Sequence, residues 1–265
     1  MENSISKRQI AILDIVKTHG FVATEQLVSQ FNVTPQTIRR DINILCSHSL
    51  LQRFHGGAGQ ATSIENETYD RRLHSFVDAK KSIAAAVAKH IPNGSSLFLN
   101  IGTTTEIVAQ ALINHKNLKI VTNNLHVAMI LSKNDDFDVM IAGGQLRNRD
   151  GGIIGPATTE FIERFRLDFG VIGVSGIDID GSLLDFDYQE TRNAEAIIAN
   201  SRETILVADH SKFGRRAMSR FGHLSQIDWL YTDRELPDSF QGLASTSGVA
   251  VQICSSTGQD KSIDP

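Results

Sequence analysis

Leu97-Phe98-Leu99-Asn100-Ile101-Gly102-Thr103-Thr104-Thr105 passes from an apolar run of strand length into a Gly-Thr turn. That turn opens a helix reaching Leu112. The same grammar repeats downstream. Residues 118–122 read as a strand, followed by Asn123-Asn124 and a helix to Leu131. Residues 137–142 read as a strand ending in Gly143-Gly144, and 157–165 as a helix. Residues 169–174 form a strand ending in Ser175-Gly176, 188–200 a helix, and 204–208 a strand ending in Asp209-His210-Ser211-Lys212. A further short strand covers 229–232. Strands alternating with helices predict an α/β domain with a mostly parallel sheet covered on both faces. Upstream, Phe76, Lys80, Ile83, Val87 and Ile91 mark a helix closed by Pro92-Asn93-Gly94.

The first 58 residues follow a different plan. Ile10, Leu13 and Val16, with Ile12 and Ile15 widening the stripe, mark a helix that Gly20 stops, and 21–23 read as a connection. Thr24 is placed to cap a second helix carrying Leu27, Val28 and Phe31. Asn32-Val33 makes a tight turn. Thr34 then caps a third helix with Pro35 at its first position, where a missing N–H costs nothing. Ile38, Ile42 and Leu45 are its buried stripe, so Gln36, Thr37, Arg39, Arg40 and Asn43 fall on the outer face. Residues 50–54, containing Arg53, read as a strand, and His55-Gly56-Gly57-Ala58 as a turn. Together they make a winged helix-turn-helix. Arg, Gln and Asn are the side chains that bond base edges in two places, which points to double-stranded DNA. A small helical subdomain with an ordinary charged face remains the other reading.

The expected organisation is therefore a head at 1–58, a linker at 59–72, an α/β domain at 73–254 and a disordered tail at 255–265. The linker lacks any apolar period, and the tail is polar. The 265 residues are 41% hydrophobic and 21% charged, which excludes a disordered or membranous chain. No uncharged apolar run is long enough for a membrane span, and residues 1–8 hold no signal-peptide block. The two cysteines, Cys46 and Cys254, form no metal or disulfide pattern, so a reducing, cytoplasmic setting is expected. The net charge of −4 hides a partition: the head carries six basic and four acidic residues, a net of +2.

Ligands of open α/β sheets bind beyond the carboxyl ends of the strands. Gly102, Thr103, Thr104, Asn123, Gly143, Gly144, Gly176, Asp178 and Lys212 all fall at that edge. Backbone N–H groups opening a helix favour an anion, threonine hydroxyls add donors, and Lys212 adds a positive charge. Asp178, with Asp180, Asp185 and Asp187, can accept bonds from hydroxyls. The set suggests a small phosphorylated polyol, although each turn taken alone also reads as plain structure. No dinucleotide or P-loop pattern is present, the nine histidines show no metal-ligand spacing, and Gly-Val-Ser-Gly around Ser175 departs from the hydrolase elbow. No cofactor and no metal are expected.

Thr34-Pro35-Gln36-Thr37-Ile38-Arg39-Arg40-Asp41 with His55-Gly56-Gly57-Ala58 resembles the signature of the DeoR family of bacterial repressors. The resemblance runs to about residue 235 through Ile101-Gly102-Thr103-Thr104, Val121-Thr122-Asn123-Asn124, Ala142-Gly143-Gly144 and Asp209-His210-Ser211-Lys212-Phe213-Gly214. Residues 149–155, 165–170 and 175–184 resemble the branch of that family that responds to glycerol 3-phosphate. This implies a non-enzymatic repressor whose sensor domain is related in fold to ribose-5-phosphate isomerase. In those isomerases a loop like 102–105 holds the substrate phosphate. Their catalytic block Asp-Gly-Ala-Asp-Glu is not reproduced: Gly176-Ile177-Asp178-Ile179-Asp180 stands roughly there without the glutamate. An isomerase-like enzyme with a nucleic-acid-binding head is the competing expectation. A single head of +2 offers few phosphate contacts, so a homo-oligomer is expected.

Overall fold

A computed structural model describes residues 5–19, 21–47, 50–54, 56–60, 68–254 and 261–263. The chain divides into two compact units, Met1–Glu65 and Asn66–Pro265.

The first unit contains α1 (Lys7–His19), β1 (Phe21–Ala23), α2 (Thr24–Phe31), α3 (Pro35–Ser47), β2 (Leu51–Phe54) and β3 (Gly57–Gln60). Its core gathers Ile12, Val16, Leu27, Ile38, Ile42, Leu45, Leu51 and Ala58. The buried line on α1 is Gln9-Ile12-Val16, and Ile10 is 49% exposed, contrary to the expected stripe. Repeated three-residue steps lag the 3.6-residue turn, whereas steps of three and four follow it. Gln9 is tolerated inside because its Nε2 donates to Asp41 Oδ1 (2.9 Å), while Arg8 Nε donates to Asp41 Oδ2 (2.6 Å). Buried Asp41 thus ties α3 to α1.

Three expectations for this unit are corrected. Residues 21–23 are a strand, antiparallel to β3, in the order β1-β3-β2. Gly59 and Gln60, expected in the linker, belong to β3, because backbone pairing does not need an apolar period. Thr24 lies inside α2: its N–H bonds to Gly56 O (2.8 Å), and Ala23 takes the cap position with its N–H held by Gln26 Oε1 (3.2 Å). The α3 start follows expectation, with Thr34 Oγ1 accepting from Thr37 N (3.3 Å).

The second unit runs α4 (Tyr69–His74), α5 (Val77–His90), β4 (Ser96–Leu99), α6 (Thr103–Ala111), β5 (Lys119–Thr122), α7 (Leu125–Leu131), β6 (Asp138–Ile141), β7 (Gln145–Arg147) and β8 (Gly152–Ile154). It continues with α8 (Pro156–Ile162), β9 (Leu167–Gly173), β10 (Gly176–Ile177), β11 (Ser182–Asp185), α9 (Tyr188–Asn200), β12 (Ser201–Val207), β13 (Ser219–His223), β14 (Trp229–Thr232), α10 (Asp238–Ser247), β15 (Ala250–Ile253) and β16 (Lys261–Ile263). The main sheet has the order β16-β15-β14-β12-β9-β4-β5-β6, parallel except at β16. Alternate strand residues face two cores. Leu97, Leu99, Ile120, Val171 and Ile205 pack with α5, α6 and α7. Phe98, Val121, Ile172 and Leu206 pack with residues of α8, α9 and α10.

Two boundaries differ from expectation. Residues 69–72 are helical, capped by Thr68, so this part of the expected linker belongs to the sensor unit. Residues 261–263 pair with β15, because an edge strand offers an open row of backbone groups even to a polar partner. The other residues of the expected tail, and 61–67 of the expected linker, lie outside the described residues. Among the described residues no helix is long and apolar enough to cross a membrane.

The strand order locates the site. From β4 the chain moves outward through β5 to β6, whereas from β9 it moves the opposite way through β12, β14 and β15. β4 and β9 therefore flank the topological switch point, where the following loops diverge and leave a crevice.

Candidate functional site

On the head, Thr34, Gln36, Arg39, Arg40 and Asn43 are exposed, Thr37 is half-buried and Ile38 is buried beneath them. Thr34 and Thr37 join by their hydroxyls (2.9 Å). Arg53 on β2 is exposed and donates from Nη1 to Asn43 Oδ1 (3.0 Å), fastening the wing to α3. Arg39, Arg53, Thr24, Glu25, Ile42, Gly56 and Gly57 line a depression of about 480 Å³. Arg39 thus faces the wing side of α3. His55 lies outside the described residues.

In the sensor unit, Gly102 precedes α6, and Thr103 and Thr104 form its first turn, both buried. The first N–H groups of a helix have no intrahelical acceptor and carry the positive end of its dipole. Thr105 turns inward, its hydroxyl donating to Asn100 O (2.8 Å) and Gly102 O (2.7 Å). Lys212 Nζ lies 3.8 Å from Asp209 Oδ2. Between these two groups stands Lys80, which in the sequence marks only the phase of a helix. Lys80, in the first turn of α5, is 3% exposed, and its Nζ donates to Thr103 Oγ1 (3.0 Å) and to the Arg72 carbonyl. Burial pushes its pKa down to about 8, against the pull of Asp209, with the charges of Lys212 and Arg72 adding to the depression. Burial pushes Asp209 up, but Lys212, Ser211 and Lys80 outweigh it and hold the carboxyl below its ordinary value.

A second feature of this edge was also illegible beforehand. Asn100 Oδ1, Asn123 Oδ1, Asp209 Oδ2 and Thr232 Oγ1 are buried without a hydrogen-bond partner. Each stands at or just beyond the carboxyl end of its strand: β4, β5, β12 and β14. Unsatisfied buried polar atoms are costly, and their concentration on one sheet edge is the mark of a surface completed by a ligand or water.

The remaining expected residues have other partners. Asn123 donates from Nδ2 to Ile153 O (3.2 Å), joining β5 to the hairpin strand β8. Gly144 has φ 154°, and a Cβ there would meet Thr158 Oγ1 at 2.2 Å; Gly143 O accepts from that same hydroxyl (2.9 Å). Gly176 is pressed on Arg215 O, 2.0 Å from where a Cβ would stand. Asp178 belongs to the β10–β11 turn, with Oδ1 accepting from Ile179 N (2.8 Å). Ser175 Oγ donates to Asp185 Oδ2 (2.8 Å). Thr103 is therefore bonded to Lys80, which also feels the charge of Lys212, and Gly102 and Thr104 adjoin Thr103 in the chain, whereas Gly143, Gly144, Gly176 and Asp178 are engaged in packing and turns. Among the described residues no group of His, Cys, Asp or Glu could hold a metal ion.

The arrangement defines a class: a winged helix-turn-helix followed by an α/β sensor unit. A family model described as the DeoR-like helix-turn-helix domain matches residues 8–64, and one described as the DeoR C terminal sensor domain matches residues 75–234. The chain belongs to the DeoR family. It is 52% identical to the glycerol-3-phosphate regulon repressor of Escherichia coli (strain K12), over 94% of this chain and 99% of that protein. The repressor of the same description from Haemophilus influenzae is 50% identical over 94% of this chain and 97% of its own length. Among solved structures, ribose 5 phosphate isomerase A from Neisseria gonorrhoeae aligns with 52% of this chain and 53% of its own, at 15% identity and a TM-score of 0.37.

Proposed function

We propose that this chain is a DNA-binding transcriptional repressor of glycerol 3-phosphate metabolism genes, released from its operator by glycerol 3-phosphate or a related phosphorylated polyol. The observation that carries the reading is the end-to-end similarity to glycerol-3-phosphate regulon repressors, which spans head and sensor alike. The chemistry of both units supports it. The α3 face offers Gln36, Arg40 and Asn43 for base edges, with Arg39 and Arg53 beside them for phosphates. The sheet edge offers the α6 N-terminus, Thr103, Thr104, Lys80 and Lys212 for an anion, and unpartnered acceptors for hydroxyl groups. The protein works as a homo-oligomer, because one lightly charged head makes few phosphate contacts and paired heads read paired half-sites. The isomerase alternative is not favoured, since the named relatives are repressors.

The test is a gel-shift titration of the full chain with duplexes selected from a random pool, repeated with glycerol 3-phosphate. Tight binding to an enriched sequence, weakened by glycerol 3-phosphate but not by glycerol, is expected. Binding without sequence preference, or preference that no polyol phosphate alters, would contradict the proposal.

A further inference from the structure

The first described segment of the sensor unit, residues 68–76, lies along this edge and is anchored there by several groups. Tyr69 Oη donates to Glu106 Oε2 on α6 (2.7 Å), and its ring stacks on His126 of α7 with centroids 5.4 Å apart. Arg72 Nη2 lies 3.6 Å from Asp150 Oδ2, and its buried Nε has no partner. The Arg72 carbonyl accepts from Lys80 Nζ. The junction to α5 is Phe76, a bulky residue at φ 53° whose ring meets His210 edge-on at 4.7 Å. A left-handed backbone costs a side-chain-bearing residue about 1–2 kcal/mol, so this junction persists only while its neighbours hold it. One ammonium, Lys80, thus serves two masters: the Thr103 hydroxyl at the mouth of α6, and the strap formed by residues 68–76.

We propose that Lys80 couples this site to the strap: a phosphorylated ligand seated at the α6 N-terminus takes the Lys80 ammonium from the Arg72 carbonyl and so loosens the strap. This rests on the phosphorylated-polyol reading above and adds to it the route by which occupancy leaves the site. A carbonyl is a neutral acceptor; a phosphate oxygen is a charged one and roughly twice as strong a partner for an ammonium. Among the described residues no carboxylate lies within hydrogen-bond distance of the buried ammonium, so an incoming anion is its better partner. Losing Lys80 removes one of the strap's anchors, beside those that Tyr69, His126, Asp150 and Phe76 make. Because binding and loosening are linked, a change that weakens the resting strap and leaves the ligand's own partners in place must strengthen ligand binding.

Three measurements on the full chain test this. Hydrogen exchange of wild type with glycerol 3-phosphate should show faster exchange at amides 71–76 while α6 becomes more protected. Lys80→Met should lose glycerol 3-phosphate binding by calorimetry and show fast strap exchange without ligand; Lys80→Arg should recover part of the affinity. Tyr69→Phe, which removes one anchor and leaves Lys80 and the core intact, should bind glycerol 3-phosphate severalfold more tightly than wild type. Wild-type binding with an unchanged strap, wild-type affinity in Lys80→Met, or unchanged or weaker binding in Tyr69→Phe would each overturn the coupling while leaving the effector reading standing. Failure of wild type to bind glycerol 3-phosphate or any other polyol phosphate would overturn both.

Discussion

Two adjacent arginines on α3 differ in their placement. Arg40 stands exposed on the outer face, whereas Arg39 faces the depression beside the wing. Arg40→Ala is expected to cost about 1–3 kcal/mol of operator binding and to relax base preference. Arg39→Ala is expected to weaken all duplexes alike and to flatten the salt dependence. Gel shifts at several salt concentrations separate the two, and unchanged affinity in both would refute this face. At the sensor edge, Lys212→Ala should leave DNA binding intact but abolish release by glycerol 3-phosphate. Thr104→Val should do so mildly, since one hydroxyl bond is worth about 0.5–1.5 kcal/mol. Operator release at wild-type effector concentration in both variants would refute these roles. The pH adds a signature. Lys80, depressed to about 8 by burial, is charged below that value and neutral above it. Ligand affinity measured by calorimetry should therefore fall as pH rises through about 8, while fold stability gains between there and the ordinary lysine value near 10.4. The α3 face was legible in the sequence because residue type and helical phase suffice to place it. Lys80 was not, because a lysine in phase with Ile83 and Val87 reads as a helix face until the carbonyl and hydroxyl it meets are known.

The elements that carry the site are held by polar clamps as much as by apolar faces. Arg147 on β7 bonds Asp150 through Nε and Nη2 (2.8 and 2.7 Å), Asp187 (2.8 Å) and Glu190 (2.6 Å), fastening the β7–β8 hairpin to the start of α9. Arg147→Ala leaves three poorly solvated carboxylates facing one another. It should cost about 3–5 kcal/mol in chemical denaturation, the scale for breaking a buried ion pair. Phe98, 1% exposed between the sheet and one helix layer, sets the apolar scale. Phe98→Ala should cost about 3–5 kcal/mol through the cavity it leaves. Losses below about 1 kcal/mol in either variant would show that these contacts do not stabilise the unit. The parallel strands from β4 to β14 were readable because burial on both faces demands continuous apolar runs bounded by turns. The hairpin, α4, β13, α10 and β15 were not read: they are short or weakly periodic and gain their stability from partners distant in sequence.

At the scale of the whole molecule, two activities reside in two units, and regulation is the free energy that couples them. The order of the units and the parallel sheet followed from the sequence. The expected limits of linker and tail did not match the observed elements, because α4 is held by α6 and α7 and β16 by β15, partners distant in sequence or without an apolar signal of their own. A homo-oligomer is expected here too, and sedimentation of the full chain with a two-half-site duplex should give two heads per duplex; a single head bound at operator affinity would contradict it. If glycerol 3-phosphate weakens operator binding, operator must weaken glycerol 3-phosphate binding by the same factor. The most direct measurement is calorimetric titration of glycerol 3-phosphate into the full chain, once alone and once saturated with operator duplex. A ligand affinity roughly 5–150-fold lower on DNA is the expected result; equal affinities in the two titrations would contradict the claim that this chain is an effector-released repressor.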